Sequence, residues 1–339
     1  MKAKAKRRSG SQVLLYPLKF EPIYQYRLWG GRHLADLLTT PLPGNDPIGE
    51  AWILSDRDDH ASLVANGSLK GKTIGQLMEQ FPEQLMGKLA GRFSKFPLLL
   101  KFLDAHEMLS VQVHPSDMQK DFIPEGEHGK TEAWVVLESS PESRIYAGLK
   151  SGTTAENLRQ SIANDTVEDH LSYFTPNAGD AVFLPAGTVH ALGGDIVVFE
   201  VQQNSDVTFR LFDWNHIDAK TGQPRALQFD KAVACIDFAQ GVASPAIPEE
   251  VTIVPAKCEQ LFNCDHFRLW RISGQMPFTV GAVDEPRILV CIEGSGGLEY
   301  ESIGYAVRKG DVFLLPAVAG VCAFRPEGSV IVLEIAIRN

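Results

Sequence analysis

Side chains that commonly bind metal ions follow one another at short intervals in the middle of the chain. Ser110, Gln112 and His114 alternate in MLSVQVHP, Glu132 follows in GKTEAW, and His190 ends GDAVFLPAGTVH. Alternate residues of a β-strand share a face, so the first three side chains are expected to converge. Two imidazoles, one amide and one carboxylate suit a zinc-like divalent ion that keeps positions open for water or substrate. The pattern therefore predicts a catalytic metal site.

A second set of polar side chains is expected on later strands. Glu200 and Gln202 alternate in FEVQQNSD, and Asp206, Thr208 and Arg210 alternate after the Asn-Ser turn. An arginine at the end of such a strand is a permanent cation, suited to a phosphate group or to a developing oxyanion. These residues predict a polar cavity beside the metal site.

A single charge interrupts an apolar run earlier in the chain. Lys101 stands in the middle of FPLLLKFLDA. Burying a charge costs free energy unless it is paired or faces water, although a lysine can also extend its amine to the surface. The sequence leaves open whether Lys101 reaches the surface or lines the site.

The elements that must position these residues are mostly strands. Short apolar runs are separated by Gly, Pro, Asn and Asp from about residue 96 onward, a pattern typical of strands joined by turns. Helical periodicity occurs only from Thr73 to Leu89 and from Thr153 to about Leu171, where Thr154 is a predicted cap. The sequence predicts a mainly β protein with a small helical inset. The predicted strands are 96–103, 108–113, 133–137, 181–184, 196–201, 288–292, 312–315 and 330–337.

An internal repeat divides the chain into two related β units. GDAVFLPA at 179–186 recurs as GDVFLLPA at 310–317, and AWVVLESS lines up with ILVCIEGS. This alignment sets Arg287 against Glu132 and Val321 against His190, so the metal site is expected in the first unit only. The aperiodic, proline-containing segment 239–250 marks the boundary. We predict a basic disordered tail over 1–12, a metal-binding unit over 13–240 and a unit without ligands over 241–339.

Composition narrows the classes of partner. The 339 residues include 32 basic and 42 acidic side chains, for a formal charge of −10, which disfavours nucleic acid as a partner. No apolar run approaches the roughly 18 residues of a membrane helix. The five cysteines are odd in number and form no CxxC pair, which favours free thiols in a cytoplasmic protein. We therefore expect neither nucleic acid nor a membrane as a partner.

Several motifs together resemble those of the type I mannose-6-phosphate isomerases, in particular their shorter bacterial form. The stretch from Gly179 to His190 also resembles the second motif of the cupin superfamily. This resemblance implies a tandem cupin, or jelly-roll, fold and a zinc-dependent isomerase of mannose 6-phosphate and fructose 6-phosphate that works through an enediol. The matching stretches are PLKF, WGG, GEAWILS, FPLLLKFLDA, LSVQVHPSD, GKTEAW, PAGTVHAL and VQQNSDVTFRLFDW.

The resemblance also implies roles for individual residues. One zinc ion per chain would be bound by Gln112, His114, Glu132 and His190. Catalytic roles fall to Arg210, Lys130, Glu200 and Asp206, and substrate binding to Ser110 and Lys101, with a hexose 6-phosphate as the substrate. Whether Glu200, Asp206 or a metal-bound water moves the proton stays open.

Other functions are compatible with the same fold, because a fold does not determine a function. One alternative is a metal cupin acting on another sugar phosphate, or an iron-dependent dioxygenase. Gln112, Lys130 and Arg210 argue against the dioxygenase. Another alternative is a non-catalytic sugar-phosphate-binding cupin, against which the intact ligand set argues.

Overall fold

The structure, a computed structural model, describes residues 14–338. The predicted tail over 1–12 lies outside the described residues. Within 14–338, no helix is both long and apolar enough to cross a membrane. Antiparallel strands dominate and fall into two sets on either side of the segment 239–248, and the exact boundary between the two units stays a prediction.

The first unit contains a larger and a smaller antiparallel sheet. Its strands in chain order are β1 (Ile23–Gly31), β2 (Ile48–Leu54), β3 (Asp56–Arg57), β4 (His60–Ala61), β5 (Leu98–Ala105), β6 (Val111–Val113), β7 (Glu132–Ser139), β8 (Arg144–Leu149), β9 (Leu171–Phe174), β10 (Ala181–Leu184), β11 (His190–Gly193), β12 (Ile196–Gln203), β13 (Phe209–Phe212), β14 (Ile217–Asp218) and β15 (Gln223–Pro224). The larger sheet has the order β1-β2-β5-β12-β7-β10, and the smaller has the order β13-β6-β11-β8-β9.

The second unit repeats this arrangement. Its strands are β16 (Glu249–Thr252), β17 (Lys257–Asn263), β18 (Phe267–Gly274), β19 (Phe278–Gly281), β20 (Arg287–Glu293), β21 (Ser295–Tyr300), β22 (Ile303–Arg308), β23 (Val312–Leu315), β24 (Val321–Pro326) and β25 (Val330–Ile337). The sheet orders are β16-β17-β18-β25-β20-β23 and β19-β24-β21-β22, so the larger sheets correspond strand by strand. The predicted tandem cupin fold is confirmed.

The helices are short and few. They are α1 (Leu34–Leu37), α2 (Ile74–Gln80), α3 (Pro82–Met86), α4 (Ala155–Ala163) and α5 (Phe229–Cys235). Thr73 and Thr154 cap α2 and α4, each accepting a hydrogen bond from the backbone three residues later. Both regions of predicted helical pattern are helical, and the first divides into α2 and α3 at Pro82, a residue that favours a helix start.

Some strands and helices of the structure were not predicted from the sequence. Strands β1 and β2 precede residue 96, and α1 and α5 are too short for a periodic signal. The predicted strand over 96–103 lies two residues later as β5, and the strand predicted over 108–113 shrinks to β6.

The two larger sheets pack back to back. Phe102 and Phe199 of the first unit share one apolar core with Leu269 and Leu333 of the second, and Leu77 of α2 joins it. In each unit the other face of the larger sheet turns toward the smaller sheet and encloses a separate apolar interior. We call these interiors, with their two sheets, the first and second barrels. Alternation along β5, β7 and β12 then points Lys101, Glu132 and Glu200 into the first barrel.

Candidate active site

Both sheets of the first barrel contribute the predicted metal ligands. Gln112 on β6 and His190 at the start of β11 are register partners, and His114 follows β6 directly. Glu132 opens β7 in the facing sheet. Its Oε1 lies 3.2 Å from His190 Nε2, and its Oε2 lies 3.4 Å from His114 Nε2. The ligand atoms of these two histidines and Glu132 all lie within 4.8 Å of one another, so the structure brings them together as the sequence predicts.

Backbone carbonyls fix the orientation of both imidazoles. His114 Nδ1 lies 2.8 Å from the carbonyl oxygen of Val207, and His190 Nδ1 lies 2.9 Å from that of Thr188. Since a carbonyl oxygen only accepts, each Nδ1 donates a hydrogen and each Nε2 offers a lone pair toward Glu132. Burial lowers the pKa of both rings, that of His114 to about 3 with help from nearby Lys130. Neutral imidazoles held by a backbone carbonyl are the usual form of metal-ligating histidines.

Glu132 is a buried carboxylate that lacks hydrogen-bond donors. Burial alone would raise its pKa, but Lys130 and the two imidazoles hold the pKa well below its usual value. Lys130 Nζ lies 2.8 Å from Oε2, yet neither carboxylate oxygen receives a hydrogen bond of good geometry. Lys130 supplies one positive charge at Oε2, and a second cation between Oε1 and the two imidazoles would offset more of the cost of burying this carboxylate. Two nitrogen lone pairs and one unsatisfied carboxylate therefore fit a divalent metal ion.

Gln112 lies beside the group formed by His114, Glu132 and His190, which we call the metal group. Its Nε2 lies 3.2 Å from His190 Nε2, and its Oε1 accepts a hydrogen bond from the Ser110 hydroxyl at 3.3 Å. Rotation about the last side-chain bond exchanges the two amide atoms, so the oxygen can turn toward the metal group. Gln112 is thus placed where a fourth ligand is needed.

A cavity of about 470 Å³ adjoins the metal group. Lys101, Lys130 and Glu200 are buried, as is Ser110, whereas Asp206 stands exposed at the rim. The residues predicted to take part in catalysis or substrate binding all line this cavity: Lys101, Ser110, Lys130, Glu200, Asp206 and Arg210. The structure therefore assembles the predicted set, while the individual roles stay predictions.

Lys101 faces the cavity and not the surface. It is only 3% exposed, and its Nζ lies 3.3 Å from Glu200 Oε1 and 3.8 Å from Glu50 Oε2. Glu200 Oε2 accepts a hydrogen bond of 2.8 Å from Trp134 Nε1, whereas Oε1 receives none of good geometry. Burial raises the pKa of Glu200 despite the nearby Lys101. A carboxyl group with a raised pKa beside a cavity is suited to proton transfer.

Arg210 is held in place at the cavity wall. Its Nε donates to Ser110 Oγ at 3.2 Å, and its Nη1 donates to the carbonyl oxygen of Ala226 at 3.0 Å. Burial and the nearby Arg225 lower the pKa of Arg210. Both partners are uncharged, so the guanidinium keeps its full charge for a ligand.

Four charged residues of the cavity were missed in the sequence, namely Arg27, Glu50, Asp218 and Arg225. Arg27 pairs with buried Glu50 at 2.8 Å, and Arg225 donates from Nε to Asp213 Oδ2 at 2.8 Å. Glu50 interrupts the fully buried strand β2 just as Lys101 interrupts β5, and that shared pattern could have indicated it. Arg225 follows the exposed strand β15, where nothing in the sequence marks it as part of a site.

Comparison with known proteins gives consistent results. The family model described as phosphomannose isomerase type I, catalytic domain, matches residues 17–129. The chain is 36% identical over 325 residues to mannose-6-phosphate isomerase ManA of Bacillus subtilis, covering 92% of this chain and 96% of that protein. It is 34% identical to a mannose-6-phosphate isomerase of Streptococcus mutans, covering 88% of this chain and 92% of the other.

A solved structure gives the same result. The crystal structure of the mannose 6-phosphate isomerase from Bacillus subtilis superposes with a TM-score of 0.86 at 31% identity, covering 95% of this chain and 99% of that one. The similarity therefore extends over both barrels.

Proposed function

This chain belongs to the type I phosphomannose isomerase family, and on that premise we propose that it interconverts mannose 6-phosphate and fructose 6-phosphate. The observation that supports this best is the unsatisfied carboxylate of Glu132 between two imidazole nitrogens, beside a cavity lined by cationic side chains. A metal ion and a phosphorylated sugar are the two ligands that such a site matches in charge.

We propose one zinc ion per chain, held by His114, Glu132, His190 and Gln112. Imidazole, carboxylate and amide donors are within the ligand range of zinc, and further coordination by substrate is possible at a catalytic site. When bound, the ion supplies Lewis-acid polarisation of the sugar oxygens next to the reacting carbons.

Isomerisation requires a proton to move between two neighbouring carbons. Starting from the aldose, a base removes the proton from C2, next to the C1 carbonyl, and an enediol forms. The C1 oxygen takes up a proton as the enediol forms. Return of the first proton to C1, together with loss of the proton from the C2 hydroxyl, then gives the ketose. Glu200 is the proposed carrier, because it is buried in the cavity, has a raised pKa and leaves Oε1 without a good hydrogen bond. The alternative, Asp206, is exposed at the rim.

The cations of the cavity have a separate task. Burial alone would lower the pKa of Lys130, but Glu132 and Glu200 raise it above its usual value, so this amine stays charged. Lys130 and Lys101 therefore act as fixed positive groups that bind and orient the substrate. Arg210 stabilises negative charge on the enediol oxygens or on the phosphate group, which is the electrostatic contribution that such sites usually depend on.

We also place the enzyme in the cytoplasm. All five cysteines are free thiols in the structure, as is usual in a reducing compartment.

The purified protein tests this proposal directly. Conversion of mannose 6-phosphate to fructose 6-phosphate is followed by phosphorus NMR before chelation, after chelation and after zinc is restored. We expect activity that disappears on chelation and returns with zinc. If the zinc-loaded protein binds mannose 6-phosphate without converting it, the non-catalytic alternative is correct. Turnover of a different hexose phosphate alone would reassign the substrate.

A further inference from the structure

A strongly basic cavity lies at one end of the second barrel, outside the proposed catalytic site. It has a volume of about 280 Å³ and is formed by the larger sheet of the second unit and the segment after α3. Its charged lining residues are five basic and one acidic, although the whole chain has more acidic than basic residues. They are Lys88, Arg92, Arg268, Arg287, Arg338 and Glu285. The local charge is therefore opposite to that of the protein.

The strand register groups these arginines on one face of the sheet. Arg268 on β18 and Arg287 on β20 are both register partners of Ala336 on the strand between them. Residues directly opposite each other in a sheet share a face, so the two arginines flank the small alanine side chain. Arg338 follows two residues after Ala336 and continues the same face. Three guanidinium groups thus surround a shallow gap above Ala336.

Only part of this positive charge is neutralised. Glu285 Oε2 pairs with Arg287 Nη1 at 2.6 Å, and Glu285 also pairs with Lys88. Glu334, two residues before Ala336 on the same face of β25, has a carboxylate oxygen 3.4 Å from Arg287 Nε. Within residues 14–338, the other three cations, Arg92, Arg268 and Arg338, have no ion-pair partner.

Two of these unpaired guanidinium groups are held close together. Arg268 Nε donates to Asn263 Oδ1 at 3.3 Å, and Arg338 Nη1 donates to the same oxygen at 3.0 Å. An amide oxygen carries no net charge, so it draws the two cations together without neutralising them. Like charges at such a distance destabilise each other unless an anion joins them.

From this arrangement we propose that the cavity is a second anion-binding site, which takes a small molecule bearing a phosphate group. Guanidinium groups match the oxygens of a phosphate with paired, charge-assisted hydrogen bonds. The volume is at the small end for a ligand pocket, so the expected ligand is free phosphate or a short phosphate monoester. The proposal does not depend on the proposed isomerase activity.

The site occupies a position related to the metal centre by the internal repeat. Arg287 stands in β20 where Glu132 stands in β7, and each is paired with the corresponding position of the next strand, Leu315 and Leu184. The first barrel thus has an anionic side chain at this position, and the second has a cationic side chain that is already paired with Glu285 and Glu334 and lies beside the unpaired arginines.

Calorimetric titration of the full-length, zinc-loaded protein tests the proposal. Inorganic phosphate and glycerol 3-phosphate are the two probes. We expect the wild type to bind at least one probe at two sites per chain, one in the catalytic cavity and one here. The variant Arg268→Ser/Arg338→Ser should bind more than about tenfold more weakly at one of them, because it loses several charge-assisted hydrogen bonds.

Three further variants distinguish loss of the second anion site from a general change in net charge and from loss of binding in the catalytic cavity. Arg159→Ser/Arg325→Ser changes the net charge equally, at exposed arginines paired with carboxylates elsewhere, and should keep both sites. Arg268→Lys/Arg338→Lys keeps the charge and should keep measurable binding. Arg210→Ser should weaken only the catalytic site. Phosphate binding that is unchanged in Arg268→Ser/Arg338→Ser, or lost equally in the Arg159→Ser/Arg325→Ser control, would overturn the proposal.

Because the readout is binding, an inactive enzyme leaves this test valid. Failure of the isomerase assay therefore cannot be mistaken for failure of the anion site. Binding of phosphate alone or of glycerol 3-phosphate alone at the second site supports the proposal and identifies the ligand form. Absence of both probes from that site contradicts it.

Discussion

The two barrels share their strand order but differ at the residues that point into their open ends. In the first barrel Glu132 and His190 belong to a group of residues that could hold a metal ion, and the corresponding positions of the second barrel are Arg287 and Val321. The larger sheets nevertheless correspond strand by strand. The framework therefore does not depend on the chemistry, which resides in a few alternating side chains.

One position keeps its residue type in both barrels. Glu200 on β12 is the register partner of Lys101, and Glu334 on β25 is the register partner of Trp270. Without a lysine opposite, burial raises the pKa of Glu334 to about 7, although Arg287 acts in the other direction. Burial thus raises the pKa of the carboxyl group in both barrels, against Lys101 in the first and against Arg287 in the second, and the following changes test how far the two positions differ in function.

The largest effect on turnover is expected when a candidate ligand of the first barrel is replaced by the residue found at the corresponding position of the second barrel. His190→Val removes one imidazole ligand, so bound zinc should fall from one per chain to near zero and turnover should fall by about 10³-fold or more. Zinc content by mass spectrometry and the isomerase assay measure the two effects. The reciprocal change Val321→His, at an exposed position of the second barrel, should alter neither. Retained zinc in His190→Val contradicts the assigned ligand set.

The paired glutamates should differ strongly in their effect on turnover. Glu200→Gln keeps the shape but removes the proposed proton carrier, so kcat should fall by about 10²- to 10⁴-fold. Glu334→Gln should leave kcat unchanged. Near-normal kcat in Glu200→Gln would assign proton transfer to Asp206 or to a metal-bound water.

The role proposed for Arg210 is charge stabilisation and not metal binding. Arg210→Ala should lower kcat by about 10²- to 10³-fold while zinc content stays the same. Arg325→Ala in the second barrel, where the side chain is exposed and paired with Glu299, is the matched control. Wild-type turnover in Arg210→Ala would remove this residue from the mechanism.

The smallest expected effect concerns stability in the second barrel. The folded pKa of Glu334 is about 7 against an ordinary value of 4.5, so the folded state keeps a proton that the unfolded state has lost between these values. Stability should therefore fall as pH rises from 5 to 8, by on the order of 1–3 kcal/mol, and level off above that range. Thermal unfolding of wild type and Glu334→Gln at both pH values measures it. Parallel pH profiles of the two proteins would show that Glu334 titrates normally.

The sequence predicted the metal group well because its residues lie in motifs that alternate along strands. The repeat of GDAVFLPA also indicated that the second unit lacks the ligands. The position of Lys101 could not be predicted, because its partners Glu50 and Glu200 come from distant parts of the chain and meet it only in the folded sheet. Arg27 was missed for the same reason, whereas Arg225 was missed because nothing in the sequence marks the residue after the exposed strand β15 as part of a site. The break between α2 and α3 at Pro82, by contrast, was readable from the sequence.

The apolar core shared by the two larger sheets couples the stability of one barrel to that of the other. Removing the second unit would expose Phe102 and Phe199 of the first to water, so neither half can melt alone without uncovering the other. If the two units unfold together, substitutions at this shared core of the second barrel destabilise both units. Substitutions at its open end do not disturb that core. The second half, which carries Arg287 and Val321 in place of the candidate ligands, can in this way serve as a scaffold on which a new ligand specificity evolves.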